Sequence, residues 1–331
     1  MKRDILVNGR FLSRRVTGVE RYGREILRQF GDNYQLATTR TNGFAGHAWE
    51  QFILPTKMRS DSILWSPANT GPLIVRNQAL TIHDLSALEH PEWFKGSFAM
   101  WYRFFLPLLA KRVRIIFTPS KYVKQKLMAR FGLENVIATP NGVDASVFHP
   151  GARQHKYEFP KKYILFVGSL QPRKNLKRLM QAWHTIKDEF ADTWLVLAGE
   201  AGKVYRTIKF FGDERIRFLN YVAEEDLPGL YAGAELFVLP SFDEGFGLPV
   251  IEAMSCGTAV LVSNGGALPE TVGDAGLIFD LSKPDTLVSA LRIILCDHDL
   301  RKSMQEKGLA HARTFSWQGT AAVIWKTLNE I

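Results

Sequence analysis

The segment AELFVLPSFDEGFGLPVIEAMSCG, Ala234–Gly257, sets three signals side by side. An apolar β-rich run ends near Ser241, DEGFGL follows as a loop, and PVIEAMSCG has the period of a short helix with Pro249 in its first turn and Gly257 beyond its end. Strand, glycine-rich loop and helix in that order form the repeating unit of a parallel sheet covered by helices. Within the unit, Glu244 and Glu252 flank seven residues that carry no charge.

The same alternation extends in both directions. Before residue 150 the runs DILVNG, QLATT, SILWSP, QALTIHDL, RIIFTPS and NVIATPNGV read as strands, with helical segments such as GVERYGREILRQF between them. There Val19, Tyr22, Ile26, Leu27 and Phe30 share one helical face. The pattern pauses at the polar, proline-containing stretch FHPGARQHKYEFPKKY and restarts with YILFVGSL, TWLVLAGE, IRFLNYV, AELFVLPS, TAVLVSN and GLIFD. A chain of 331 residues suits two cores better than one. The expectation is an α/β fold of two doubly wound parallel-sheet domains facing each other across a cleft, residues 1–152 and 153–331, with the last helix returning to the N-terminal domain. Ligands of such sheets bind beyond the carboxyl ends of the strands.

Charge is divided unevenly. Residues 1–150 hold 21 Lys and Arg against 11 Asp and Glu, and the remainder is nearly neutral. The basic half predicts an anionic partner, with nucleic acid and an anionic membrane as candidates. WFKGSFAMWYRFFLPLLAKRVR, Trp93–Arg114, mixes aromatics with Lys and Arg as an interfacial helix does, although core packing explains the apolar residues equally well. Pro107 and Arg103 argue against a span, and no run reaches the roughly 18 apolar residues that one needs. The N-terminus lacks the pattern of a secretory signal, and Cys256 and Cys296 form no metal-ligand spacing. A soluble or peripherally membrane-bound cytoplasmic protein with reduced thiols is expected.

In the opening segment, Gly245 and Gly247 permit positive φ or close approach to a ligand, and the amides at the helix start form an anion site without a Walker lysine. Glu252, near the end of the first helical turn among Val250, Ile251, Ala253 and Met254, is costly to bury unless it accepts hydrogen bonds. A sugar diol can supply them; so can a neighbouring Lys or Arg.

Over Leu239–Gly276, LPSFDEGFGLPVIEAMSCGTAVLVSNGGALPETVGDAG, the chain resembles the retaining nucleotide-sugar glycosyltransferases of family GT4. The resemblance implies the GT-B fold of two Rossmann-like domains, a nucleotide diphosphate sugar as co-substrate and no metal or other cofactor. It implies that Glu252 accepts the ribose hydroxyls, that Glu244 lies beside the transferred sugar, and that the amides around Gly245, Phe246, Gly247 and Leu248 meet sugar and phosphate oxygens. In FVGSLQPRKNLKRLMQAW it places Arg173 and Lys174 on the donor diphosphate, with Ser169 standing where some relatives carry a further arginine. In LTIHDLSALEHPEWF it makes His83 the histidine that contacts the transferred sugar, while Asp84 orients the loop or binds acceptor. NGRFLSRRVTGVERY resembles the N-termini of bacterial mannosyl- and rhamnosyltransferases that build polysaccharide or O-antigen. Thr17-Gly18 replaces a double glycine there, which favours an acceptor role for Arg14, Arg15, Thr17 and Gly18. PNGVDASVF, Pro140–Phe148, is a further family block read as a junction turn, and the Asp-x-Asp look-alike at 297–299 reads as a helix cap.

The reading is a retaining, metal-independent hexosyltransferase. Its first-choice donor is GDP-mannose, ahead of UDP-glucose and dTDP-rhamnose, and its acceptor is a lipid-linked saccharide of polysaccharide or O-antigen assembly. Its other partner is an anionic membrane surface rather than nucleic acid. The alternatives are a nucleotide-sugar 2-epimerase or phosphorylase and a non-catalytic module that binds polyanions.

Overall fold

The computed structural model describes residues 4–152, 155–158, 162–200 and 213–331, so part of the polar stretch read as a linker, 153–154 and 159–161, lies outside the described residues. The strands are β1 Ile5–Asn8, β2 Gln35–Ala37, β3 Ile63–Ser66, β4 Gln78–Thr81, β5 Ile115–Thr118, β6 Val136–Ala138, β7 Lys162–Val167, β8 Thr193–Ala198, β9 Ile216–Asn220, β10 Leu236–Leu239, β11 Val260–Ser263 and β12 Leu277–Phe279. The helices are α1 Gly18–Phe30, α2 Gly43–Ala48, α3 Ser86–Glu89, α4 Gly96–Ala110, α5 Lys121–Phe131, α6 Leu176–Ile186, α7 Leu227–Ala232, α8 Leu248–Ser255, α9 Leu268–Val272, α10 Asp285–Cys296, α11 His298–Ala312 and α12 Trp317–Glu330. Every strand coincides with a run expected from the sequence, β7 starting one residue earlier than its run.

Two compact units result. The first comprises Met1–Pro91, Gly96–Gly142 and Ser316–Ile331, and the second Glu92–Lys95 and Val143–Phe315.

The first unit holds a six-stranded sheet in the order β2-β1-β3-β4-β5-β6 with every pair parallel. β1, β3, β4 and β5 are buried along their whole length, as strands covered on both faces must be. α1 begins at Thr17, which forms a capping box with Glu20, and stops at Gly31 with φ +57°. Tyr22, Ile26, Leu27 and Phe30 of its apolar face are buried. α12 completes this unit against the same helix: Trp325 meets Phe30 edge-on at 4.9 Å, and Trp317 meets Tyr22 at 6.1 Å.

The second unit holds the order β12-β11-β10-β7-β8-β9, again parallel throughout. From β7 the chain goes to β8 and β9 on one flank, then returns to the other side of β7 as β10. The carboxyl ends of β7 and β10 therefore diverge, leaving the switch-point crevice where such sheets bind ligands. α8 starts immediately after β10, and Val250, Ile251, Ala253 and Met254 on it are inaccessible to solvent. Burying each of the large ones stabilises the unit by about 1.5–3 kcal/mol, which fixes the corner between strand and helix.

Candidate active site

The loops that leave β7 and β10 meet at that switch point. After β7, Pro172–Lys174 makes a single 3-10 turn that ends at Asn175 in the left-handed conformation, φ +52°. Asn175 Nδ2 donates to the Pro240 carbonyl at 3.1 Å, and the Phe242 amide donates to the Arg173 carbonyl at 2.8 Å. The two loops are thus joined by one side chain–backbone and one backbone–backbone hydrogen bond before any charged group is considered.

The joint aims both cations at one acid. Arg173 Nη1 lies 2.9 Å from Glu244 Oε2, and Lys174 Nζ lies 2.5 Å from Glu244 Oε1. Ser241 Oγ donates to Oε1 at 2.6 Å, and Arg173 Nη1 also donates to the Asp243 carbonyl at 3.0 Å. All of these side chains are buried. Burial alone would push the Glu244 carboxyl up, but Arg173 and Lys174 outweigh it and hold the group at about 2. Arg173 and Lys174 lie in the 3-10 turn immediately before α6.

Glu252 is on α8, in its second turn rather than at the end of the first. It is buried, and Tyr231 Oη on α7 donates to its Oε2 at 2.9 Å. Gly247 is the N-cap of α8 with φ +101°, a conformation that favours glycine, and a Cβ there would come within 2.7 Å of Leu268. Gly245 is not among the positive-φ glycines, which leaves close approach to a ligand as the other use expected of it. Phe246 is buried, its carbonyl accepting from Thr271 Oγ1 at 2.5 Å, and Leu248 opens the helix.

In the first unit, His83 follows β4 and is buried against Tyr22, ring to ring at 4.8 Å. Its Nε2 lies 2.8 Å from the Pro67 carbonyl, and its amide donates to Asn69 Oδ1 at 2.7 Å. Burial lowers its pKa, so the imidazole is neutral and Nε2–H donates to Pro67. Asp84 accepts from both the amide and the hydroxyl of Ser86, at 3.0 and 2.6 Å, and so shapes the loop into α3. Thr17 and Gly18 sit at the exposed start of α1, and Arg14, 3.9 Å from Glu20, stands beside the capping box with exposed Arg15 next to it. Asp297 caps α11 through the Leu300 amide at 2.8 Å.

Sequence reasoning missed several participants. Ser241 and Tyr231 each hold one of the two acids. Gly266, φ +63°, lies so close to Glu244 that a Cβ would come within 2.3 Å of the Glu244 nitrogen. A polar cluster at the β1–β3 switch point was missed as well. There Arg10 Nη1 meets Glu50 Oε2 at 2.8 Å, while Asn8 and Thr70 donate to Glu50 Oε1 at 2.7 and 3.0 Å. Only the glycines gave a sequence signal, through the Gly265-Gly266 pair.

Residues 152–311 match the family described as Glycosyl transferases group 1. The chain is 32% identical over 272 residues to the O-antigen chain mannosyltransferase B of Escherichia coli, covering 78% of this chain and 71% of that protein. Of two further curated relatives the chain spans only about half and about a third of the length. Its fold matches that of sucrose-phosphate synthase from Thermosynechococcus elongatus, with a TM-score of 0.76 at 16% identity over 99% of both chains. It also matches Anabaena HepE in complex with UDP-glucose, with a TM-score of 0.75 at 16% identity over 100% of both chains. The likeness at this identity is one of fold, and that fold is GT-B.

Proposed function

Because the chain belongs to the Glycosyl transferases group 1 family, we propose that it moves a hexose from a nucleoside diphosphate sugar to a hydroxyl of a lipid-linked saccharide. Retention of anomeric configuration and independence from metal are part of the proposal. The observation that carries it is the convergence of Arg173, Lys174 and Glu244 at the β7–β10 switch point. Two preorganised cations suit a diphosphate, and an acid between them suits a sugar hydroxyl. Similarity to an O-antigen mannosyltransferase favours GDP-mannose as donor. UDP-glucose, with which the fold neighbour HepE forms a complex, is the next choice, ahead of dTDP-rhamnose.

In the proposed reaction the bond from the anomeric carbon to the phosphate oxygen breaks as the bond to the acceptor oxygen forms on the same face. The acceptor proton passes to the departing phosphate oxygen. Arg173 and Lys174 take the charge developing on the diphosphate, with the amides around Gly247 and Leu248 as further donors, and Glu244 turns to the sugar. Glu252, already holding the Tyr231 hydroxyl, has carboxylate capacity for a ribose diol. His83, neutral and donating to Pro67 through Nε2, presents Nδ1 as an acceptor for a sugar hydroxyl. Arg14, Arg15, Thr17 and Gly18 serve the acceptor, and Asp84, whose Oδ1 shapes the loop through Ser86, orients that loop or binds acceptor. The enzyme works on the cytoplasmic face of the membrane.

Incubation with GDP-mannose, UDP-glucose or dTDP-rhamnose and a hydroxyl acceptor tests this. Transfer with release of nucleoside diphosphate, lost in Glu244→Ala and raised in donor KM in Glu252→Ala, supports the reading. Interconversion of the nucleotide sugar without acceptor, or full turnover in both variants, removes it.

A further inference from the structure

α4 is apolar on two sides. Ala99, Phe105, Leu106 and Leu109 are buried, whereas Met100, Phe104 and Leu108, spaced four residues apart, form an exposed stripe. Beside it stands a segment far away in sequence: α2 and the π-helical turn Trp49–Ile53 that continues it, with His47 and Trp101 rings 5.2 Å apart. Gln51 binds the third member, the loop at 71–73, donating to the Gly71 carbonyl and accepting from the Leu73 amide, each at 3.0 Å. Arg112 Nε closes the circuit from the end of α4 to the Leu73 carbonyl at 2.9 Å. These linked elements expose Phe44 by 87%, Phe52 by 74%, Ile74 by 72% and Phe104 by 63%.

Such exposure is sustained by buried structure. The Arg10–Glu50 pair, with His47 Nδ1 3.1 Å from Arg10 Nη1, fastens the α2 segment to the turn that leaves the carboxyl end of β1 and so holds its aromatics outward. The flanking charge has one sign: Arg40, Lys57, Arg76, Arg103, Lys111 and Arg112 are exposed. Over residues 40–57, 71–76 and 95–114 the only acid is Glu50, which is buried against Arg10.

We propose that this three-part face, and not α4 alone, docks on an anionic lipid bilayer, with Phe44, Phe52 and Phe104 entering the interface and the surrounding cations meeting acidic headgroups. Aromatic and aliphatic tips ringed by Lys and Arg without exposed acids complement such a surface in both chemistry and charge. The face rests on the proposed function only for its purpose, bringing the enzyme to a lipid-linked acceptor.

Flotation of the full chain with phosphatidylcholine vesicles and with mixed phosphatidylglycerol–phosphatidylcholine vesicles tests it, using Phe44→Ser/Phe52→Ser/Phe104→Ser and, separately, Arg103→Glu/Lys111→Glu. The wild type binds the anionic vesicles, about ten-fold less the neutral ones, and each variant loses about ten-fold at unchanged melting temperature. The charge variant stands alone as the test if the apolar one misfolds. Wild type that floats with neither vesicle, variants that float as well as wild type, or an apolar variant that abolishes a wild-type dimer instead would overturn the assignment. Nucleotide binding measured on the same samples separates this outcome from failure of the transferase reading.

Discussion

Lys174 Nζ and Glu244 Oε1 are 2.5 Å apart in a buried cluster whose other cation, Arg173, holds the second carboxylate oxygen. The acid assigned to the sugar therefore neutralises the cations assigned to the diphosphate. An incoming diphosphate must take their charge from Glu244, which frees the carboxylate for a sugar hydroxyl. Glu244→Gln should accordingly bind free nucleoside diphosphate about five- to ten-fold more tightly than wild type, because the competing internal anion is gone. Transfer should fall about 100-fold or more. Titration calorimetry decides the first point, and weaker binding by the glutamine variant would contradict the exchange of partners.

Stability should depend on pH through the same group. Despite burial, Arg173 and Lys174 hold the Glu244 carboxyl at about 2 against an ordinary 4.5. A value lower in the folded than in the unfolded chain stabilises fully above about 4.5 and is lost as pH falls toward 2, on the order of 3 kcal/mol in all. Urea melts from pH 7 down to pH 3 should show wild type losing more stability than Glu244→Gln below about pH 4.5. Parallel curves would show that the ion pairs contribute nothing.

Tyr231 reaches Glu252 from a different helix, and its hydroxyl is the only atom that phenylalanine lacks. Tyr231→Phe leaves the buried ring in place and removes the donor at 2.9 Å, a change of about 1 kcal/mol. Donor KM should rise several-fold with kcat within about two-fold, the pattern of lost binding rather than lost chemistry. A fall in kcat with KM unchanged would assign Tyr231 elsewhere.

Gly266 tests how tightly the acidic loop is clamped. Alanine there would sit at φ +63° with its Cβ near the Glu244 backbone, whereas Gly43, φ +59°, has open space for the same atom. Gly43→Ala incurs backbone strain of about 1 kcal/mol, while Gly266→Ala must also displace the loop and should cost about 2–3 kcal/mol together with most activity. Paired thermal melts and turnover measure the difference, and equal effects would mean that Gly266 serves backbone conformation alone.

The strands were legible because each is a short apolar run with period or burial typical of parallel sheets, and DEGFGLPVIE was legible because glycine, proline and acids occupy fixed offsets. That Arg173 and Lys174 meet Glu244 followed only from the order of strands, since nothing local states that β10 lies beside β7. Tyr231 and Ser241 look like ordinary helix and loop residues until the fold brings them to the acids. Arg10 and Glu50, 40 residues apart, carry no pattern at all. α4 was ambiguous for a physical reason: a helix with apolar residues on two sides satisfies core and interface readings alike, and the structure buries one side while leaving Met100, Phe104 and Leu108 exposed on the other.

The central claim is that Arg173 and Lys174 form the diphosphate site. Binding of a nucleoside diphosphate and of the corresponding nucleoside, compared between wild type and Arg173→Ala/Lys174→Ala, tests it most directly. The account predicts a loss of about 100-fold or more for the diphosphate, with the nucleoside little changed. Equal diphosphate affinity in both proteins would contradict it.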